Sequence, residues 1–273
     1  MKAIDIKDAH REFKDYLSEN KRSSSTIVAY GKDIEQLVTF LKELSKNHIH
    51  EVTRTDLESF LAKMTKNGYT PKSISRKLNS TRTFYRFLKV NEYITDDPSL
   101  LVAHPRYQLG APRILTPTEY RALRDAARND ARMFAIIELL LQTGIRIGEL
   151  AALKLSDMTK EGLHIAPQEK HAERVVPLNK RAKEALEKYL EVRPKAGSEH
   201  LFITKSGKPF LIRNIRTAVE RYFRLAEIKN AKVNDLRHTF VAHHLKHGVS
   251  LVLISKVLGH KRISTTERYL EYV

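Results

Sequence analysis

Between Asp96 and Tyr120 the chain reads DDPSLLVAHPRYQLGAPRILTPTEY, and no regular element can run through it. Pro98, Pro105 and Pro112 remove backbone donors at short intervals, and Gly110 adds freedom where a helix would need rigidity. A new helix then starts cleanly. Thr116 offers its hydroxyl as N-cap, Pro117 takes the first position, where its missing N–H costs nothing, and Glu119 closes a capping box. The seam divides 273 residues into two parts, each long enough for its own core. The expected organisation is a domain over 1–103, a linker over 104–115 and a second domain over 116–273.

Ahead of the seam the apolar residues recur at helical spacing from Ile6 to Leu17, Thr26 to Leu44, Leu57 to Met64 and Ile74 to Leu88. Ser24 or Ser25, Thr53 with Asp56, and Thr70 before Pro71 mark helix starts. A four-helix bundle follows. In its fourth helix Ile74, Leu78, Tyr85 and Leu88 form an inward stripe, which leaves Arg76, Lys77, Arg82 and Arg86 as candidates for contact with phosphates or bases. A solvated face is the rival reading of those four. After the seam helices dominate again, with strand signals confined to Leu163 to Ala166, Arg174 to Pro177 and Leu201 to Thr204. The expectation is a mainly α protein whose second domain is α+β with a small three-stranded sheet.

With 49 basic against 32 acidic residues, a formal charge of +17, the chain is attracted to polyanions. RNA, ribosomes and acidic membranes share that attraction with DNA. No apolar run reaches about 18 residues and no leader pattern opens the chain, so the reading is a cytoplasmic, nucleoid-associated protein without a membrane partner. Zero cysteines exclude disulfides, thiolate nucleophiles and cysteine-ligated zinc. His243 and His247 stand i, i+4 but lack a third ligand at a recognisable spacing, and Gly144 and Gly148 do not form a phosphate loop. Neither a metal nor a nucleotide is expected, and no cofactor.

Three blocks carry chemistry. LLLQTGIRIGELAALKLSDM places Arg146 after a Thr143-Gly144 break, with Glu149 one turn on; NDLRHTFVAHHLKHG supplies Arg237; LGHKRISTTERYLEY supplies His260 and Tyr269. A phenol with a reference pKa of about 10 is a weak nucleophile until its proton is taken or cations stabilise the phosphorane it forms. Arginine suits that task, because its planar fork matches two non-bridging phosphate oxygens.

Together these blocks resemble the signature boxes of the tyrosine recombinase (phage integrase) family, close to its compact Xer-like members, over most of residues 113 to 272. That family carries TGxRxxEL, then HxLRH, then LGH, with the tyrosine nine residues after the last histidine; His260 and Tyr269 keep that interval. The resemblance implies that Arg146 and Arg237 clamp the scissile phosphate and that Tyr269 attacks it to form a 3′-phosphotyrosyl link. It further implies that His260 hydrogen-bonds a non-bridging oxygen, and that no ATP is needed because the link conserves the bond energy. A hairpin lysine usually acts as general acid, and in GLHIAPQEKHAERVVPL this is Lys170, one residue closer to Arg174 than in the family pattern. The N-terminal bundle resembles the family's SAM-like core-binding domain, which closes over DNA opposite the catalytic domain. Asn234 departs from the pattern, standing where the family commonly has histidine. An amide cannot exchange a proton near neutral pH, so a base must come from water or elsewhere, and His238 beside Arg237 is one candidate. Tyr272 is a rival nucleophile that the nine-residue interval disfavours.

The function expected is site-specific recombination of double-stranded DNA, in integration, excision or dimer resolution. Two alternatives stand beside it: a relaxing enzyme of the type IB topoisomerase kind, and a catalytically silent DNA-binding protein, motivated by Asn234. The expected assembly is a monomer in free solution and a homotetramer on two DNA sites, with an accessory protein left open. The sequence stops four residues after Tyr269, where many relatives continue into a helix that docks on a neighbour. Residues 265–273 are then expected to be the exchanged element, or the contacts between protomers to be weaker.

Overall fold

The computed structural model of the protein describes residues 4–108, 110–167 and 172–272. The chain divides into two compact units, Met1–Leu109 and Gly110–Val273. In the first, α1 (Ile6–Glu19), α2 (Ser24–Glu43), α3 (Arg54–Lys66) and α4 (Pro71–Val90) form the bundle. Their starts are capped as the local chemistry dictates. Asp5 accepts from the Lys7 N–H, Thr53 and Asp56 form a reciprocal capping box, and Thr70 accepts from Ser73 just ahead of Pro71. The cap of α2 is Ser23, one residue before the predicted serines, because its hydroxyl reaches the Thr26 N–H at 3.2 Å. Each such cap contributes about 1 kcal/mol. The core is rich in aromatics: Phe13 meets Phe84 edge-on at 5.2 Å and Phe87 at 5.8 Å, above a layer that includes Ile34, Leu37, Leu57, Phe60 and Leu88.

The four basic residues singled out on α4 divide: Arg76 and Arg86 are exposed, Arg82 is half-buried, and Lys77 is not on the open face that the sequence suggested. Lys77 is 2% exposed, and its ammonium donates to Asp33 at 3.0 Å and to Gln36 while lying over the Tyr69 ring. The reason is positional. Lys77 follows Ile74 by three residues and so falls on the inward stripe, and only a buried carboxylate lets an ammonium stay there. Asp33 also receives Arg76 and the Ser80 hydroxyl, so one carboxylate of α2 collects three donors from α4. Arg82 is half-buried and donates to the carbonyls of Ser99 and Val102, pinning the segment that follows the helix. Arg86 is exposed.

The second unit contains α5 (Pro117–Ala127), α6 (Ala131–Thr143), α7 (Ile147–Ala152), β1 (Leu163–Ile165), β2 (Arg174–Val176), α8 (Lys180–Val192), α9 (Ile212–Leu225), α10 (Val233–Lys246), α11 (Leu251–Leu258) and α12 (Ser264–Glu267). Helix α6 is buried nearly all round, with Ala135, Ile136, Ile137 and Leu139 fully enclosed, and packs against α5, α8, α9 and α10. Strands β1 and β2 pair antiparallel with Leu163 opposite Val176 and Ile165 opposite Arg174. Among the described residues the sheet has two strands, not three. The segment 201–204 meets 208–210 at one isolated bridge, Ile203 to Pro209, closed by the Thr204 N–H on the Lys208 carbonyl and the Phe210 N–H on the Phe202 carbonyl, with the chain reversing at Gly207 (φ 78°). A smaller cluster of Phe240, Val241, Ile254 and Leu258 joins α10 to α11 and carries Tyr269 against it.

Candidate active site

The site begins with a break. Helix α6 ends at Gly144, whose φ of 63° is left-handed, and a Cβ there would lie 2.6 Å from the Phe240 ring and 2.8 Å from a Leu258 methyl. Only glycine lets the chain turn so close to α10 and α11. The turn delivers Arg146 to the N-terminus of α7, where the Glu149 carboxylate accepts from the Arg146 backbone N–H at 2.8 Å and from its guanidinium at 3.1 Å.

Glu149 is almost fully buried, and its second partner comes from β2. Arg174 donates to both of its oxygens, at 3.0 and 2.9 Å, and to the Val257 carbonyl at 2.7 Å. Burial pushes the Glu149 carboxyl up, but Arg174's hydrogen bonds, the Arg146 N–H and the two guanidinium charges outweigh it and hold the group below its ordinary range. The carboxylate is therefore a fixed anchor.

Helix α10 contributes Asn234, Arg237 and His238, which share one face through their i, i+3, i+4 spacing. Arg237 is 6% exposed and donates to the Gly144 carbonyl at 2.6 Å, to the Leu258 carbonyl at 2.9 Å and to His260 Nε2 at 2.9 Å. Arg146 donates to the same Leu258 carbonyl at 3.3 Å. Two guanidiniums thus meet on one neutral oxygen. Burial, and then the nearby Arg146, pull Arg237 down to about 9, with Glu149 opposing. It stays cationic at neutral pH, and an arriving anion would relieve the cost of holding it there.

His260 follows Gly259, the left-handed end of α11. A guanidinium only donates, so the Nε2 that faces Arg237 is unprotonated and the ring proton lies on Nδ1, which donates to the buried Thr266 hydroxyl at 2.8 Å. Arg237 therefore sets the histidine's tautomer, and Thr266 on α12 holds the ring by accepting its proton. Three residues later Tyr269 lies half-buried against Phe240 and Leu258, its phenol 2.5 Å from His238 Nδ1. Burial raises the phenol's pKa, while Arg237, Arg268 and Arg146 pull it down. His238 Nε2 lies 2.8 Å from the Asn234 amide nitrogen, and burial lowers that imidazole below its ordinary value, Asp235 opposing and Arg237 adding.

The site network thus has two hydrogen-bonded parts, Arg146, Arg237 and His260 around the Leu258 carbonyl, and Asn234 and Tyr269 joined through His238. Lys170 lies outside the described residues. Tyr272 sits in the 3-10 turn Leu270–Tyr272, beyond this network. Arg174 and Thr266 were not singled out from sequence as members of the site. Arginine on a short strand opposite a lone buried glutamate was the available signal for the first, and a hydroxyl one turn before the tyrosine for the second. Among the described residues no group of three or more His, Asp or Glu side chains could hold a metal.

Residues 113–272 match the phage integrase family, and residues 11–92 match the phage integrase N-terminal SAM-like domain. The chain is 33% identical over 258 residues to the tyrosine recombinase XerD of Staphylococcus saprophyticus, covering 90% of this chain and 88% of that protein. It is 32% identical over 261 residues to the tyrosine recombinase XerC of Thermodesulfovibrio yellowstonii, covering 90% and 85%. Among solved structures it is similar to XerA recombinase, with a TM-score of 0.55 and 27% identity over 96% of this chain and 92% of that one. A lambda integrase dimer bound to a COC′ core site shares the fold, with a TM-score of 0.81 at 17% identity over 98% and 77%.

Proposed function

This chain belongs to the phage integrase family, and from that premise we propose that it is a site-specific recombinase that cuts and rejoins double-stranded DNA through Tyr269. The observation that carries the reading is the convergence of Arg146 and Arg237 on the Leu258 carbonyl, beside the Tyr269 phenol and with a single buried carboxylate to balance them. Arg146, held by Glu149 that Arg174 fixes in place, and Arg237, held on backbone carbonyls, form a preorganised site for a doubly contacted phosphate.

In this reading the scissile phosphate lies between Arg146 and Arg237, which take its non-bridging oxygens. A phosphate oxygen drawing Arg237 off His260 Nε2 leaves that nitrogen facing the phosphate, where a proton would let it donate. The Tyr269 oxygen attacks phosphorus, the bond to the 5′-oxygen breaks, and the protein is left joined to a 3′ end. The leaving 5′-oxygen takes a proton from Lys170 or from water. Rejoining reverses each step, and because the phosphotyrosine keeps the bond energy, the reaction runs without ATP. Exposed Arg86 is assigned to the DNA backbone; Arg76 and Arg82 contribute there only with what their internal partners leave open, and Lys77 does not.

The substrate is a DNA recombination site, and the working assembly a homotetramer on two such sites formed from monomers, with or without an accessory protein. The lambda integrase tetramer bound to a Holliday junction, which shares this fold, supports such an assembly by analogy. The cellular place is the cytoplasm, on the nucleoid; no helix among the described residues is long and apolar enough to cross a membrane. A plasmid assay tests the reading. Recombinant circles should form only from plasmids carrying two copies of the target site. Relaxation of any supercoiled plasmid, without dependence on paired sites, would instead point to a topoisomerase. Sedimentation of the free protein as a stable tetramer would overturn the assembly.

A further inference from the structure

We propose that His238 is the general base of Tyr269 and that Asn234 is its positioning residue, so that a relay of amide, imidazole and phenol replaces the proton-exchanging side chain that Asn234 cannot be. This rests on the assignment of Tyr269 as nucleophile.

The geometry is that of a three-member relay. Tyr269's phenol, His238's imidazole and Asn234's amide are joined in series at 2.5 and 2.8 Å, and the last two are neighbours on one turn of α10. An imidazole between a nucleophile and an orienting group is the arrangement by which a weak O–H is activated. The amide decides which way the relay runs. With its nitrogen toward His238 Nε2, that ring nitrogen accepts, the ring proton sits on Nδ1, and it is donated to the phenol oxygen. A half-turn of the amide about its last torsion presents Oδ1 instead; Nε2 then carries the proton and Nδ1 accepts from the phenol. Asparagine can support both tautomers because it owns a donor and an acceptor. In the second state the balance is complete: the phenol proton passes to Nδ1 as the oxygen forms its bond to phosphorus, the 5′-oxygen departs and takes a proton from Lys170 or water, and the imidazolium returns its proton to the phenolate on rejoining.

The surroundings favour a neutral ring at rest. His238 is half-buried, Arg237 on its own helix repels a second positive charge, and Asp235 is the opposing carboxylate. On the phenol side the facing charges are Arg237, Arg146 and Arg268. All three favour a phenolate but only partly offset the burial that raises the phenol above its ordinary value, so a base is needed. Arg237's own contacts go to backbone carbonyls and His260, and His238 Nδ1 lies 2.5 Å from the phenol oxygen.

The test is the rate of covalent adduct formation on nicked suicide duplexes taken from DNA flanking the gene, for wild type and His238→Asn. His238→Asn should bind the duplex as wild type does and cleave about 100-fold more slowly, with the acidic fall of the wild-type pH–rate profile gone. The decisive arm replaces Tyr269 by a fluorinated tyrosine, whose phenol ionises without help. The His238→Asn deficit should then shrink to about tenfold or less. A deficit unchanged by fluorination, or cleavage by His238→Asn within twofold of wild type, overturns the inference and leaves the phosphotyrosine reading intact. No adduct from wild type overturns that reading instead. Asn234→Ala should shift the pH–rate profile and the nitrogen-15 resonances of His238, with partial rescue by Asn234→Gln. Independently of DNA, Tyr269→Phe should move the His238 Nδ1 resonance; an unmoved resonance would sever the relay.

Discussion

Helix α4 and the α7–α10 corner both gather basic residues around one buried acid, and they do opposite things with them. In the bundle, Asp33 receives Arg76, Lys77 and the Ser80 hydroxyl, and the cations are consumed in holding α4 to α2. In the catalytic unit Glu149 anchors Arg174 and Arg146, while Arg237 is held on backbone carbonyls and His260 with no carboxylate of its own. The first cluster sets two cations on one carboxylate that both of them touch. The second sets three guanidiniums around one, and Arg237, which does not touch it, leaves the larger positive excess that makes an anion site.

Arg237→Ala should sharpen the contrast most, lowering cleavage by about 1000-fold because charge on the phosphorane goes uncompensated, while thermal unfolding of the bundle is unchanged. A cleavage loss under tenfold would break it. Next comes Lys77→Ala, which should destabilise the bundle by about 3 kcal/mol in denaturant titration, since Asp33 loses its buried partner. Retained stability with weakened DNA binding would return Lys77 to the DNA face. Glu149→Gln should slow cleavage by about 100-fold through loosened guanidiniums, measurable in single-turnover rates. It should also remove part of the catalytic unit's acid sensitivity. The Glu149 carboxyl titrates lower in the folded chain than its ordinary 4.5. Its stabilisation is therefore complete above that pH and is lost as the pH falls through the lower folded value. The Glu149→Gln variant should lack that sloping contribution. Arg86→Ala is the smallest: stability within about 0.5 kcal/mol of wild type, and a salt dependence of DNA affinity shallower by about one unit.

What could be read without coordinates was local or spaced. Capping residues and a 3.6-residue period locate α1 to α4, and the interval from His260 to Tyr269 singles out that tyrosine over Tyr272. What could not be read depended on partners distant in sequence. Lys77 looked available because nothing near it in sequence announces that Asp33, 44 residues earlier, would draw its ammonium inward. Arg174 lies 25 residues from the glutamate it clamps. The third strand is reduced to a single bridge, Ile203 to Pro209, because the chain reverses at Gly207, only a few residues on. His238 was visible as a titratable neighbour of Arg237, but its contact with Tyr269 exists only once α12 has brought the phenol back over α10.

The central claim is that Tyr269 becomes covalently joined to DNA. Wild type and Tyr269→Phe, incubated with nicked suicide duplexes from the DNA flanking the gene and resolved on a denaturing gel, test it directly. The account predicts a protein-linked 3′ product with wild type and none with Tyr269→Phe, at equal duplex binding. Tight binding by both without any adduct would contradict it and leave a silent DNA-binding protein, and an adduct that persists in Tyr269→Phe would move the nucleophile elsewhere.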